Sequence, residues 1–249
     1  MCDELNFENN PNPWAAIKDG NYVLENEKDA AKHEQYQFHT DLPPQPFQGN
    51  PEAPIWILML NPGYSEKTDQ YPVSDADYYK KHDTRREAML NQLTFASPAQ
   101  TNHWHYVLDN SENNFSRKWF EDHFFNKDMG ITADNVDNKI FILQACGYAS
   151  EKFNGNLNTM VKSFPHMKFA QELARWGLKN GKKIVIARCK DYWLNVLEAE
   201  KHPENFNNIY FFSSPQNISF SAGNIVNWYE YQLLKENSAA KLQVIIKNQ

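Results

Sequence analysis

The sequence predicts an α/β protein of three layers, α/β/α, with helices on both faces of a central, mainly parallel four-stranded sheet. Three observations predict it. Four short apolar runs are continuous rather than alternating, as in strands covered on both faces. Segments with helical spacing of apolar residues lie between those runs. Strands that alternate with helices supply the crossover connections a parallel sheet needs.

The first run is Pro54-Ile55-Trp56-Ile57-Leu58-Met59-Leu60, stopped by Asn61-Pro62-Gly63. The second is Lys139-Ile140-Phe141-Ile142-Leu143-Gln144-Ala145, the third Lys183-Ile184-Val185-Ile186-Ala187-Arg188, and the fourth Asn208-Ile209-Tyr210-Phe211-Phe212-Ser213. Before the first run, Leu42-Pro43-Pro44-Gln45-Pro46-Phe47 reads as an extended piece, because each Pro fixes φ and restrains the residue before it. Between the first two runs the spacing predicts a helical insertion, with helices over 74–93 and 115–125. Phe169, Leu173 and Trp176 recur at i, i+4 and i+7, and Gly181 ends that helix. A short helix is expected over 192–197. Ile225, Trp228, Tyr229, Gln232 and Leu233 mark a C-terminal helix. The tail over 242–246 reads equally as helix or strand.

The chain has 249 residues, with 25 Lys plus Arg against 31 Asp plus Glu and a formal net charge of -6. That balance excludes a strongly basic nucleic-acid coat, though not a local basic groove. Its 7 Trp and 16 Phe are ample for a sizeable core. The length suits one domain over 1–249 with an N-terminal arm of about 50 residues. No apolar run is long enough to span a membrane. The acidic start Met1-Cys2-Asp3-Glu4 has no apolar leader, so a cytoplasmic protein is expected. Cys2, Cys146 and Cys189 are too few for a disulfide framework or a four-thiolate cluster.

In open parallel sheets, ligands bind beyond the carboxyl ends of the strands. Asn61-Pro62-Gly63 there is either plain turn punctuation or a loop that aims the Asn61 amide into the crevice, with Gly63 admitting a ligand to the backbone. Gln144 closes an otherwise apolar strand, and its amide suits the edge of a base as well as it suits solvent. Cys146 reads as a small buried thiol, since no nucleophile signature surrounds it. Arg188 and Lys190 suit surface carboxylates or phosphate. The last loop, Ser213-Ser214-Pro215-Gln216-Asn217-Ile218-Ser219-Phe220-Ser221, is dense in hydroxyls and amides before a helix, a natural phosphate seat. Ile218 and Phe220 within it are core anchors or wedges for a base stack. His103-Trp104-His105 holds the one close His pair, a weak metal pattern without Asp or Cys nearby.

Leu60-Asn61-Pro62-Gly63 resembles the first motif of the uracil-DNA glycosylase superfamily, and Ser213-Ser214-Pro215-Gln216-Asn217-Ile218-Ser219 resembles its second. The strand ending in Gln144 falls where that family places an Asn that reads the target base. The similarity spans roughly residues 46–234, closest to an uncharacterised branch reading Pro-Phe-x-Gly-Asn-Pro before the strand, here residues 46–51. Leu60 stands where a Gly is usual, Gln144 replaces Asn, and the second motif has no His.

The resemblance implies hydrolysis of the N-glycosidic bond of a flipped base in single- or double-stranded DNA. Asn61 would orient the attacking water. Gly63, Tyr64, Tyr71 and Gln144 would bind the base, Tyr71 by stacking, with Tyr78 and Tyr79 as alternatives. Ser214, Pro215, Gln216, Asn217, Ile218 and Ser219 would contact DNA. No cofactor or metal is implied. A catalytically silent module for a nucleobase, nucleotide or protein on the same fold is the alternative.

Overall fold

The computed structural model describes residues 11–64, 83–95, 103–104, 115–126, 130–214, 218–221, 223–232 and 234. All four apolar runs are strands: β3 (Ile55–Met59), β4 (Ile140–Gln144), β6 (Lys183–Ile186) and β7 (Ile209–Phe212). They pair in parallel in the order β4-β3-β6-β7. The sheet is wider than expected. β2 (Phe47–Gly49) adds antiparallel to β4, and β8 (Ile225–Asn227) adds antiparallel to β7, giving six strands in the order β2-β4-β3-β6-β7-β8. Both additions are three residues long, too short for periodicity to reveal, and β8 takes Ile225 out of the expected C-terminal helix. Residues 228–232 are helical, as expected. A separate two-stranded ladder joins β1 (Phe38–His39) to β5 (Ala149–Ser150).

Continuous apolar runs are explained by burial on two sides. Trp56, Leu58, Phe141, Leu143, Ile184, Ile186 and Phe211 face one core cluster. Their neighbours Ile57, Met59, Ile140, Ile142, Val185 and Phe212 face the other. The helices are α1 (Lys28–Ala31), α2 (Asp83–Gln92), α3 (Phe115–His123), α4 (Leu157–Met160), α5 (His166–Lys179) and α6 (Lys190–Val196). α5 covers the first face with Ala170, Leu173, Ala174 and Gly177, the i, i+3, i+4, i+7 stripe of an amphipathic helix. Gly177 is required by close approach, because a Cβ there would lie 2.8 Å from the Trp56 ring. Gly181, at φ +74, ends α5. Its N–H bonds to Leu178 O and that of Lys182 to Gly177 O, a Schellman closure. On the second face lie Ala88 and Met89 of α2, with Phe124 just past α3.

The segment expected as an N-terminal arm packs into the first core cluster from Trp14 onward, with Leu24, Ala31 and Phe47 buried in it. The proline-rich stretch runs beside β4. Gln45 N–H bonds to Gly147 O, and Gln144 N–H bonds to Pro46 O. No described helix is long and apolar enough to cross a membrane. Of the helix expected over 74–93, residues 83–92 form α2, while 74–82 and the tail over 242–246 lie outside the described residues.

Candidate functional site

The first, second, third and fourth parallel strands in chain order stand side by side as 2-1-3-4. The order in which the chain adds strands therefore reverses between β3 and β6, which stay parallel, and a crevice opens beyond the carboxyl ends at such a switch point. Asn61 leaves β3 at that edge.

The Asn61 side chain is half-buried and its orientation is determined. Its Nδ2 donates to Pro62 O at 2.9 Å, Tyr148 O at 3.3 Å and Ser150 Oγ at 2.8 Å. Two of these partners are carbonyls, which only accept, so the nitrogen must face them. The opposite atom, Oδ1, accepts no bond from the described residues. The amide thus anchors the end of β3 to the segment after β4 and turns an acceptor away from both.

Gln144 lies beside it, paired with Met59 across the β3/β4 ladder. Its Oε1 is buried and has no hydrogen-bond partner. A buried acceptor without a donor costs about 1–3 kcal/mol, so a ligand N–H or a water is its natural complement. Gly63 is exposed, and a Cβ added there would meet nothing within 4 Å. Its backbone sits in a parallel bridge with Ser150. Tyr64 stacks on His39, with ring centroids 3.3 Å apart and planes 7° from parallel. One face of Tyr64 is therefore covered by the N-terminal segment, and His39 joins this neighbourhood unforeseen. Tyr71, Tyr78 and Tyr79 lie outside the described residues.

The segment after β4 is held from behind by a buried network. Glu27 is 0% and His166 1% exposed. Glu27 accepts from the His166 backbone N–H at 3.0 Å, His166 Nδ1 at 2.7 Å and the Tyr148 hydroxyl at 2.7 Å. Burial alone would push the Glu27 carboxyl up. The hydrogen bonds that the His166 ring and backbone and the Tyr148 hydroxyl donate to it hold it below its ordinary value. Burial, and then the Glu27 charge, push the Tyr148 phenol far up. Cys146 in the same segment is fully buried, and burial first pushes its thiol up to about 12. It is a core thiol rather than a nucleophile.

The fourth loop closes on itself. Ser213 N–H bonds to Asn224 O, and its hydroxyl lies 2.7 Å from Asn224 Oδ1. Asn224 Nδ2 in turn bonds to Ser219 O at 2.8 Å. The wedge reading of Ile218 and Phe220 is corrected. They are 3% and 2% exposed, packed in the second core cluster, with Phe220 against Phe124 and Phe212. Their apolar side chains anchor a polar loop. Ser214, two residues past the end of β7, is half-buried, and Ser219 is half-buried too. Pro215, Gln216 and Asn217 lie outside the described residues.

Asn61, Gly63, Tyr64 and Gln144 are brought together at the ends of β3 and β4. Ser214 is not among them, because β6 stands between β3 and β7. At neighbouring-strand spacings of roughly 4.8 Å the two loops start about 10 Å apart along the same edge. A cleft of about 140 Å³ occupies part of that edge, lined by Arg188, Cys189, Lys190, Phe211, Phe212 and Tyr231. It adjoins the Asn61 neighbourhood without including it. Lys190 Nζ there is 3.5 Å from Asp191 and 5.2 Å from the Tyr231 ring.

His103 is held by protein groups. Its Nδ1 lies 3.1 Å from both Asp137 oxygens and its Nε2 3.1 Å from Phe95 O, so both ring nitrogens are engaged. Among the described residues no group of three His, Cys, Asp or Glu could hold a metal ion. His105 lies outside them.

Glu27, His39, Tyr148, Ser150 and His166 carry no sequence signal of their own. Glu27 and His166 are 139 positions apart, and only the fold makes them neighbours. Compared with known proteins, the chain matches no family model, and neither a curated protein nor a solved structure matches it.

Proposed function

We propose that the chain is a uracil-DNA-glycosylase-like protein that takes a flipped base at the carboxyl edge of β3 and β4 and hydrolyses its N-glycosidic bond. The observation that supports this reading is the pair of side-chain amide oxygens on the two neighbouring strand ends: Oδ1 of Asn61, turned outward by its anchored nitrogen, and the buried, unpartnered Oε1 of Gln144. An acceptor such as Gln144 Oε1 pairs with a ring N–H, as uracil, hypoxanthine and xanthine present. Asn61 Oδ1 would hold the attacking water by one of its hydrogens. In the reaction the C1′–N bond breaks and its electron pair leaves with the base. Water oxygen bonds to C1′, and its proton passes to solvent or the departing base. A carboxamide is not a strong base, so the expected rate is low.

A binding module without catalysis on the same fold is the second reading. It is favoured by one observation: among the described residues no carboxylate or imidazole hydrogen-bonds to Asn61 to serve as a base. The test is incubation at low salt with oligonucleotides carrying uracil, hypoxanthine, xanthine or alkylated bases, alongside Asn61→Ala. Abasic product from the native chain and its loss in the variant support the enzyme. Binding of the same oligonucleotides without product selects the silent module. Equal product from both proteins removes Asn61 from the chemistry.

A further inference from the structure

We infer that Glu27 and His166 are positioning residues, a buried carboxylate–imidazole pair that locks the segment after β4 against the end of β3 and thereby sets the Asn61 carboxamide. The inference deepens the proposed function and rests on Asn61 being the working amide.

The contacts run without a gap. Asn61 Nδ2 donates to Tyr148 O. The Tyr148 hydroxyl donates to Glu27 and accepts from Leu24 N–H at 3.2 Å. Glu27 accepts from His166 Nδ1, and the far ring nitrogen, Nε2, accepts from Gly147 N–H at 3.2 Å. That last donor settles the tautomer. Nε2 must present a lone pair, so the proton sits on Nδ1 and the imidazole is neutral. Residues 147 and 148 are thus held by backbone and by side chain at once.

Packing alone does not account for this arrangement. An apolar filling of the same volume is often as stable as a buried charged network. Here both oxygens of Glu27 and both ring nitrogens of His166 are engaged, and the bonds converge on the two residues behind Asn61. A satisfied buried network is rigid and specifies one geometry. Trp14 closes it, 4.6 Å from the His166 ring and 5.6 Å from that of Tyr148 between centroids.

The test is nuclear magnetic resonance on the full-length, 15N-labelled chain, with two readouts that need no substrate. The His166 ring is expected as the neutral Nδ1–H tautomer at neutral pH. An Nε2–H tautomer or an imidazolium overturns the network. The side-chain NH2 of Asn61 is expected to exchange about tenfold faster in Glu27→Gln and in Tyr148→Phe, each still folded by circular dichroism. Unchanged exchange in either folded variant overturns the positioning role. Tyr148→Phe keeps the ring and removes one hydroxyl, so it serves where Glu27→Gln does not fold. A chain that cleaves no base yet passes both readouts would fail the proposed function alone.

Discussion

The amide nitrogen of Asn61 lies 2.8 Å from the hydroxyl of Ser150, 89 positions further along the chain. Ser150 is itself flanked, paired with Phe38 on one side and bridged to Gly63 on the other. One seryl residue therefore ties the N-terminal segment, the end of β3 and the segment after β4 into one edge.

Ser150→Ala removes the hydroxyl and leaves both backbone pairings. The expected loss is about 0.5–1.5 kcal/mol of unfolding free energy, the worth of one part-buried hydrogen bond. Urea unfolding of the two proteins measures it. A loss within error of zero would mean that the hydroxyl does not restrain the Asn61 amide.

Gly177→Ala sets two effects against each other. Alanine in a helix interior gains about 1 kcal/mol over glycine. The new Cβ, however, would lie 2.8 Å from the Trp56 ring, which is fully buried on a central strand and has no room to withdraw. Overpacking of this kind costs about 1–3 kcal/mol. The net expectation is a lower melting temperature. A rise would show that α5 can lift away from β3 freely.

The four parallel strands were legible because each is buried on both faces, and that burial leaves a continuous apolar run. β2 and β8 were not, since three residues carry no period. The neighbourhood of Asn61 was half legible. Asn61, Gly63 and Gln144 stand at strand ends, where an α/β sheet places its ligands. Glu27, His39 and His166 come from segments with no local pattern, and a hydrogen bond across 139 positions is a property of the fold alone. Ile218 and Phe220 were legible only as a choice between core anchors and wedges, and the core behind the loop decides it in favour of anchors.

Acid should act through Glu27. Its carboxyl is held below the ordinary value of 4.5 in the folded chain. A depressed carboxylate contributes stability that is fully present above the unfolded value and is lost as pH falls through the folded one. The native chain should therefore lose unfolding free energy as the medium is acidified below 4.5. Glu27→Gln, which binds no proton in either state, should show a shallower dependence over that range even though it starts less stable. Urea midpoints at a series of pH values measure both slopes, and parallel slopes would rule Glu27 out as a source of acid sensitivity.

Gln144→Leu separates a structural amide from a waiting one. Removing one partner of a made hydrogen bond leaves a buried group unsatisfied, and the chain loses stability. Gln144 Oε1 has no partner to lose, so an apolar side chain of similar size removes a penalty instead. Unfolding free energy should stay level or rise, by up to about 1–3 kcal/mol if the amide oxygen is dry in the native chain. Affinity for an oligonucleotide carrying a base with a ring N–H should fall in the same variant. Stability and binding would then move in opposite directions, the pattern of a polar group retained for a ligand. A fall in stability with unaltered binding would assign Gln144 to the fold and leave the proposed site without its reader of the base.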